Sequence, residues 1–117
     1  MIDRELRLGN LLQDGKSKAV LVVCKLEVGI VTTIVKDRDK YPLANGWYQE
    51  PIPLTEEWLL KFGFTKLNSV DWESNCGSLD LESTDAGILF DSRIIIKHVH
   101  QLQNLYFALT GQELELK

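Results

Sequence analysis

An α+β fold is what this 117-residue sequence predicts, on three observations. Two β-branched runs, residues 19–26 and 30–35, are short and too rich in Val, Ile and Thr to be natural helices. A Pro-bounded segment, 51–64, carries the start and stop chemistry of one short helix. Near the end, Val99, Leu102, Leu105, Tyr106 and Leu109 recur at helical spacing. The expected architecture is a small bent β-sheet or SH3-like N-terminal barrel, one short capped helix, further short strands and a C-terminal helix. Residues 1–117 read as a single domain, with no internal repeat, low-complexity segment or linker.

Taken in order, residues 5–12 alternate, with Leu6 and Leu8 to one side and Arg7 to the other. Gly9-Asn10 predicts a bend or bulge there. Gln13-Asp14-Gly15-Lys16 predicts a turn in which Asp-Gly supplies positive φ. The two β-branched runs follow, with Cys24 inside the first as a small buried hydrophobe. Asn45-Gly46 is the strongest hairpin signal, and Trp47-Tyr48 opens another strand. Pro51-Ile52-Pro53 holds the backbone extended and marks a boundary between elements.

Thr55 is the expected N-cap of the first helix, with Glu56 and Glu57 where the helix dipole is positive. Gly63 takes the left-handed C′ position, so that Phe64 folds back on Leu59. Four short strands are expected at 65–67, 78–82, 87–90 and 93–97. The second helix spans about His98 to Leu109, stopped by Thr110-Gly111, and residues 113–116 add a final short strand.

Composition excludes several function classes. Apolar residues make up 44% and charged residues 26%, the balance of a globular chain. No stretch reaches the roughly 18 apolar residues of a membrane span, and the N-terminus lacks the apolar core of a secretory signal. Two cysteines are too few for a disulfide framework, which predicts free thiols in a reducing cytoplasm. The net charge of −4 is uneven: residues 1–50 carry +1 and residues 51–117 carry −5. Between Lys66 and Arg93 lie six acids and no base. Such a surface repels phosphate, so any nucleic-acid contact belongs to the first half.

No local motif carries catalysis. His98 and His100 are two residues apart on the expected helix and point in different directions; as surface histidines they lack the paired ligands that structural zinc requires. The pairs Asp71/Glu73 and Asp80/Glu82 can each share a strand face and hold magnesium, but no Lys at the spacing of a nuclease accompanies them, and solvated strand faces account for them. No metal, cofactor or catalytic residue is therefore expected. Lys36, Arg38 and Lys40 with Tyr41 and Trp47 interleave base with stacking surface, as single-strand binders do, although Asp37 and Asp39 nearly cancel the charge. On the second helix, Phe107 falls away from the apolar face beside His100, Gln103 and Asn104. A large aromatic on a polar stripe predicts an anchor for a homodimer or a protein partner, unless another element of the chain covers it.

Two segments, PIPLTEEWLLKFGF at 51–64 and VHQLQNLYFALTGQEL at 99–114, together with the opening Leu6-Arg7-Leu8-Gly9-Asn10, cover about a third of the chain. In order and spacing this resembles a family of small uncharacterised proteins of bacteriophages and mobile elements of anaerobic gut bacteria. The resemblance implies a bacterial cytoplasm and a mobile-element context, and no mechanism. The expected function is a non-enzymatic protein-interaction module. The alternative is a nucleic-acid-binding accessory protein using the N-terminal sheet.

Overall fold

A computed structural model describes residues 6–27, 30–37, 49–74, 80–85, 87–90 and 94–116. The fold is α+β; among the described residues it has two antiparallel sheets, one of them curled, and two helices. The chain divides into two compact units, Met1–Ile52 and Pro53–Lys117. The division falls inside Pro51-Ile52-Pro53, where ring-locked φ angles hold the chain extended.

The first unit is a four-stranded sheet: β1 (Leu11–Asp14), β2 (Val20–Glu27), β3 (Ile30–Val35) and β4 (Gln49–Pro51), in the order β3-β2-β1-β4. β1 starts later than the alternation predicts. Residues 7–10 form a turn instead, with Gly9 at φ 88° and the Arg7 amide donating to Asn10 Oδ1 at 2.6 Å. The turn docks on β2 through Gly9 N–H to the Val23 carbonyl and Val23 N–H to the Asn10 carbonyl. Asp14, expected in the following turn, is the last residue of β1. Its buried carboxylate accepts from the amides of Lys16 and Ser17, which caps the loop from inside the strand. Lys18, at φ 62°, and not Gly15, supplies the left-handed residue.

β2 and β3 pair with one irregularity. The register passes from Val23↔Thr33 to Lys25↔Thr32, leaving Cys24 over. This extra residue reverses the side-chain alternation of β2. Leu21, Val23 and then Leu26 consequently serve one core, together with Leu6, Leu12, Ala19, Val35 and Val31. Cys24 itself is exposed; the sequence placed it inside because the bulge is invisible in a run of apolar residues.

Gln49 makes the curl visible. It lies on one edge strand, yet its side-chain amide donates to the Val31 carbonyl at 2.8 Å and to Thr33 Oγ1 at 3.2 Å on the other. The two edges must approach for this to happen. Beside it, Glu50 accepts from Lys18 Nζ at 2.6 Å and Gln13 Nε2 at 2.8 Å. These bonds, Lys18 first, hold its carboxyl below the ordinary 4.5.

The second unit begins with α1 (Glu56–Lys61). Thr55 is its N-cap, but its side chain makes no capping bond. The C-terminal turn is as expected: Gly63 has φ 82°, Phe64 N–H reaches the Leu59 carbonyl and Gly63 N–H the Leu60 carbonyl, each at 3.0 Å. A five-stranded meander follows, β5 (Thr65–Lys66), β6 (Asp71–Glu73), β7 (Asp80–Thr84), β8 (Gly87–Phe90) and β9 (Ile94–Ile96), and then α2 (Val99–Thr110). The sequence reading omitted β6. Its turn is built by Asn68, whose Oδ1 accepts from the amides of Val70 and Asp71. Trp72, Leu81, Ile88 and Ile96 alternate onto the buried side, and Leu59, Phe62, Phe64, Val99, Leu102 and Tyr106 are buried with them. Neither helix is long and apolar enough to cross a membrane.

Two outcomes follow in stability measurements. Gly63→Ala should lower the unfolding free energy by about 1 kcal/mol, because the left-handed region penalises a Cβ. Thr55→Ala should change it by no more than a few tenths of a kcal/mol, since no side-chain bond is lost; denaturant titration distinguishes them. The depressed Glu50 carboxyl contributes stability that is present above its unfolded pKa, near 4.5, and is lost as pH falls through the lower folded value. Glu50→Gln should accordingly flatten the pH dependence of unfolding only on the acid side of that value.

Candidate functional site

The orientation of α2 decides which side chains reach the surface of the second unit. Its entry is pinned from two directions. Gln101 Oε1 accepts from the amides of Lys97 and His98 at 3.0 and 3.1 Å, satisfying donors that a helix start leaves open. On the other side, Leu54 N–H donates to the Lys97 carbonyl and Pro53 forms a bridge with His98. His98 is therefore extended, at φ −132° and ψ 153°, rather than helical.

This corrects the reading of the two histidines. An extended His98 escapes the helical spiral, and its ring stacks on His100 with centroids 5.7 Å apart and planes 11° apart. His100 is fully buried, so the pair is not a pair of surface histidines.

The buried face of α2 is Val99, His100, Leu102, Gln103 and Tyr106. Leu105 is half-buried and Leu109 is 49% exposed, although both were expected inside. At about 100° per residue the helix is turned by roughly 70° from the orientation its apolar residues suggest. The proposed outward stripe is corrected accordingly. His100 and Gln103 lie in the interior, Asn104 is half-buried, and Phe107 emerges at 39% exposure. Periodicity counts only apolar residues, so it cannot register polar side chains that are buried, as His100 and Gln103 are.

Beyond α2, Gly111 adopts φ 74° and its amide returns to the Phe107 carbonyl. Thr110 Oγ1 donates to the Tyr106 carbonyl and accepts from Gln112 N–H. The tail that follows is irregular, where the sequence suggested a strand at 113–116. Leu114 is buried, while Glu113 and Glu115 on either side of it are exposed. Together with Gln112 these residues form one wall of a cleft of about 300 Å3. Phe62 and Phe64 of the α1 turn, Ser74 after β6 and Tyr106 of α2 complete it. Sequence reasoning missed the cleft, although an anchoring Leu between two glutamates after a helix-stopping Gly was a usable signal.

The opposite face of the sheet from Trp72 and Leu81 has its own pattern. Asp71 lies directly across from Glu82, and Glu73 from Asp80. Glu82 in turn faces Leu89, and Leu89 faces Ile95. One row thus runs Asp71, Glu82, Leu89, Ile95 across β6–β9, with carboxylates on two strands and apolar side chains on the next two. Like charges directly opposite one another weaken a ladder, and Asn68 Nδ2 donates to Asp71 Oδ2 at 2.7 Å on the same row. Among the described residues, no group of three or more His, Cys, Asp or Glu is arranged to hold a metal ion.

Of the candidates for nucleic-acid contact, Lys36 is exposed just after β3. Arg38, Lys40, Tyr41 and Trp47 lie outside the described residues, as do Cys76 and the Asn45-Gly46 turn. Comparison with protein-family models, with curated proteins and with solved structures gives no match.

His100→Ala should cost about 2 kcal/mol or more, as emptying a buried ring site does. Phe107→Ser should cost less than half as much, because the Phe107 ring is already partly in water; urea unfolding of the two variants compares them.

Proposed function

We propose that the chain is a non-enzymatic protein-interaction module that binds a basic partner through the outer face of β6–β9. One observation carries this reading: the in-register row of Asp71, Glu82, Leu89 and Ile95, flanked by the second opposed pair Glu73/Asp80. The directly opposed carboxylates of Glu73 and Asp80 disfavour one another, and a Lys- or Arg-bearing partner offsets that. Leu89 is half-buried and Ile95 is 41% exposed, which gives the same face apolar area to bury. A face of this composition selects a polypeptide carrying both basic and apolar side chains, and it disfavours phosphate backbones. The residues-51–117 charge of −5 supports the same sign. Action in a bacterial cytoplasm, on a protein of the same phage or mobile element, belongs to this reading and rests on the resemblance of residues 51–64 and 99–114.

The test is fluorescence anisotropy with a labelled peptide in which lysines alternate with leucines, against labelled single-stranded DNA. The peptide should bind with an affinity that falls as salt rises. Glu73→Gln with Asp80→Asn should weaken it roughly tenfold, the scale of losing two rim charges. Salt-dependent DNA binding with no peptide binding would reverse the assignment in favour of the N-terminal sheet and its basic residues.

A further inference from the structure

While α2 buries His100 and Gln103, it turns Leu105, Ala108 and Leu109 outward: Leu105 is half-buried, Ala108 exposed and Leu109 49% exposed. These three fall within about 100° of arc on the helix, with Ala108 outermost, away from the buried Val99, Leu102 and Tyr106. The twelve residues of α2 include no Lys, Arg, Asp or Glu. They nevertheless belong to the part of the chain, residues 51–117, that holds five bases against ten acids and carries −5.

Both facts bear on what covers this face. A solvated helix face ordinarily carries charge, whereas the centre of a protein interface is depleted in it. A strongly basic or acidic partner gains nothing from an uncharged surface. A second copy of the chain, by contrast, meets like charge over much of this unit and avoids it along α2. Side-chain size fits the same partner. Antiparallel pairing about a two-fold axis between Leu105 and Ala108 sets Leu105 of each copy against the small Ala108 of the other, so the helices approach closely. Leu109 flanks that seam, while Phe107 lies about 130° around the helix from it and takes no part. We propose that the Leu105/Ala108/Leu109 face of α2 is the contact of a homodimer with two-fold symmetry. The face is small beside the roughly 800 Å2 that each partner of a stable complex buries. The dimer is accordingly weak, with a dissociation constant on the order of 100 μM.

The contact uses no residue of the β6–β9 row and stands independently of the reading above. The experiment is sedimentation equilibrium of the full chain from about 10 μM to about 1 mM, a range that brackets the expected constant. A reversible monomer–dimer equilibrium is expected. Ala108→Arg and Ala108→Glu, each changing only an exposed side chain, should weaken it at least tenfold and leave the thermal midpoint of the dilute monomer unchanged. An equimolar mixture of the two variants should associate again, because a two-fold seam brings the opposite charges together. Added salt should leave the wild-type dimer intact or strengthen it, since the seam holds no charge to screen and the two units repel each other less. Phe107→Ser, and Glu73→Gln with Asp80→Asn, should leave dimerisation undiminished. A chain that stays monomeric to the highest concentration, a dimer indifferent to Ala108→Arg, or a variant mixture that fails to associate would overturn the proposal. Loss of the dimer in Phe107→Ser alone would overturn it in favour of the other flank of the helix.

Discussion

The second unit is organised by the junction between β9 and α2. At Lys97–His98 the chain must leave a sheet and begin a helix within two residues, and both exposed amides find the same acceptor, Gln101 Oε1. The Lys97 carbonyl is taken by Leu54, from the segment that leads into α1. Those bonds hold His98 extended and fix the rotation at which α2 starts. Everything further along the helix inherits that rotation. His100 and Gln103 turn inward, Tyr106 reaches the cleft, and Leu109 is left in water. A helix free to choose by hydrophobicity alone would bury Leu105 and Leu109 instead, so the hydrogen bonds at its entry outweigh two partly buried leucines.

The first unit shows the same principle in a sheet. Its strands are short, and the groups that limit them are polar and buried: Asn10 before β1 and Asp14 at its end, each accepting from nearby backbone amides. Gln49 joins the two edge strands where no backbone ladder can. An open sheet edge invites pairing with another chain, and a side-chain amide placed on Val31 obstructs part of that edge. Polar side chains are here substitutes for backbone partners, which is why they sit inside.

Charge is arranged with less regard for stability. Carboxylates stand directly opposed on β6 and β7, a placement that like-charge repulsion disfavours. Acidic side chains thus gather on the face of β6 and β7 that lies away from Trp72 and Leu81, beside the apolar Leu89 and Ile95 of the next two strands.

The sequence by itself determined the elements whose signals are local. β3 and β8 have the predicted bounds, and the α1 stop at Gly63 follows from backbone preference at one residue. The curl of a sheet was legible from several short strands in few residues, and the concentration of acid from simple counting. Tertiary structure alone decided the bulge at Cys24, the existence of β6, the rotation of α2 and the cleft against the tail. Each of these depends on a partner distant in the chain: Thr33 and Thr32 across from β2, Glu82 and Leu81 across from β6, Leu54 at the helix entry, Phe62 and Ser74 facing Glu113 and Leu114. Periodicity records how often apolar residues recur, whereas the buried face of this helix follows from the hydrogen bonds that hold its entry.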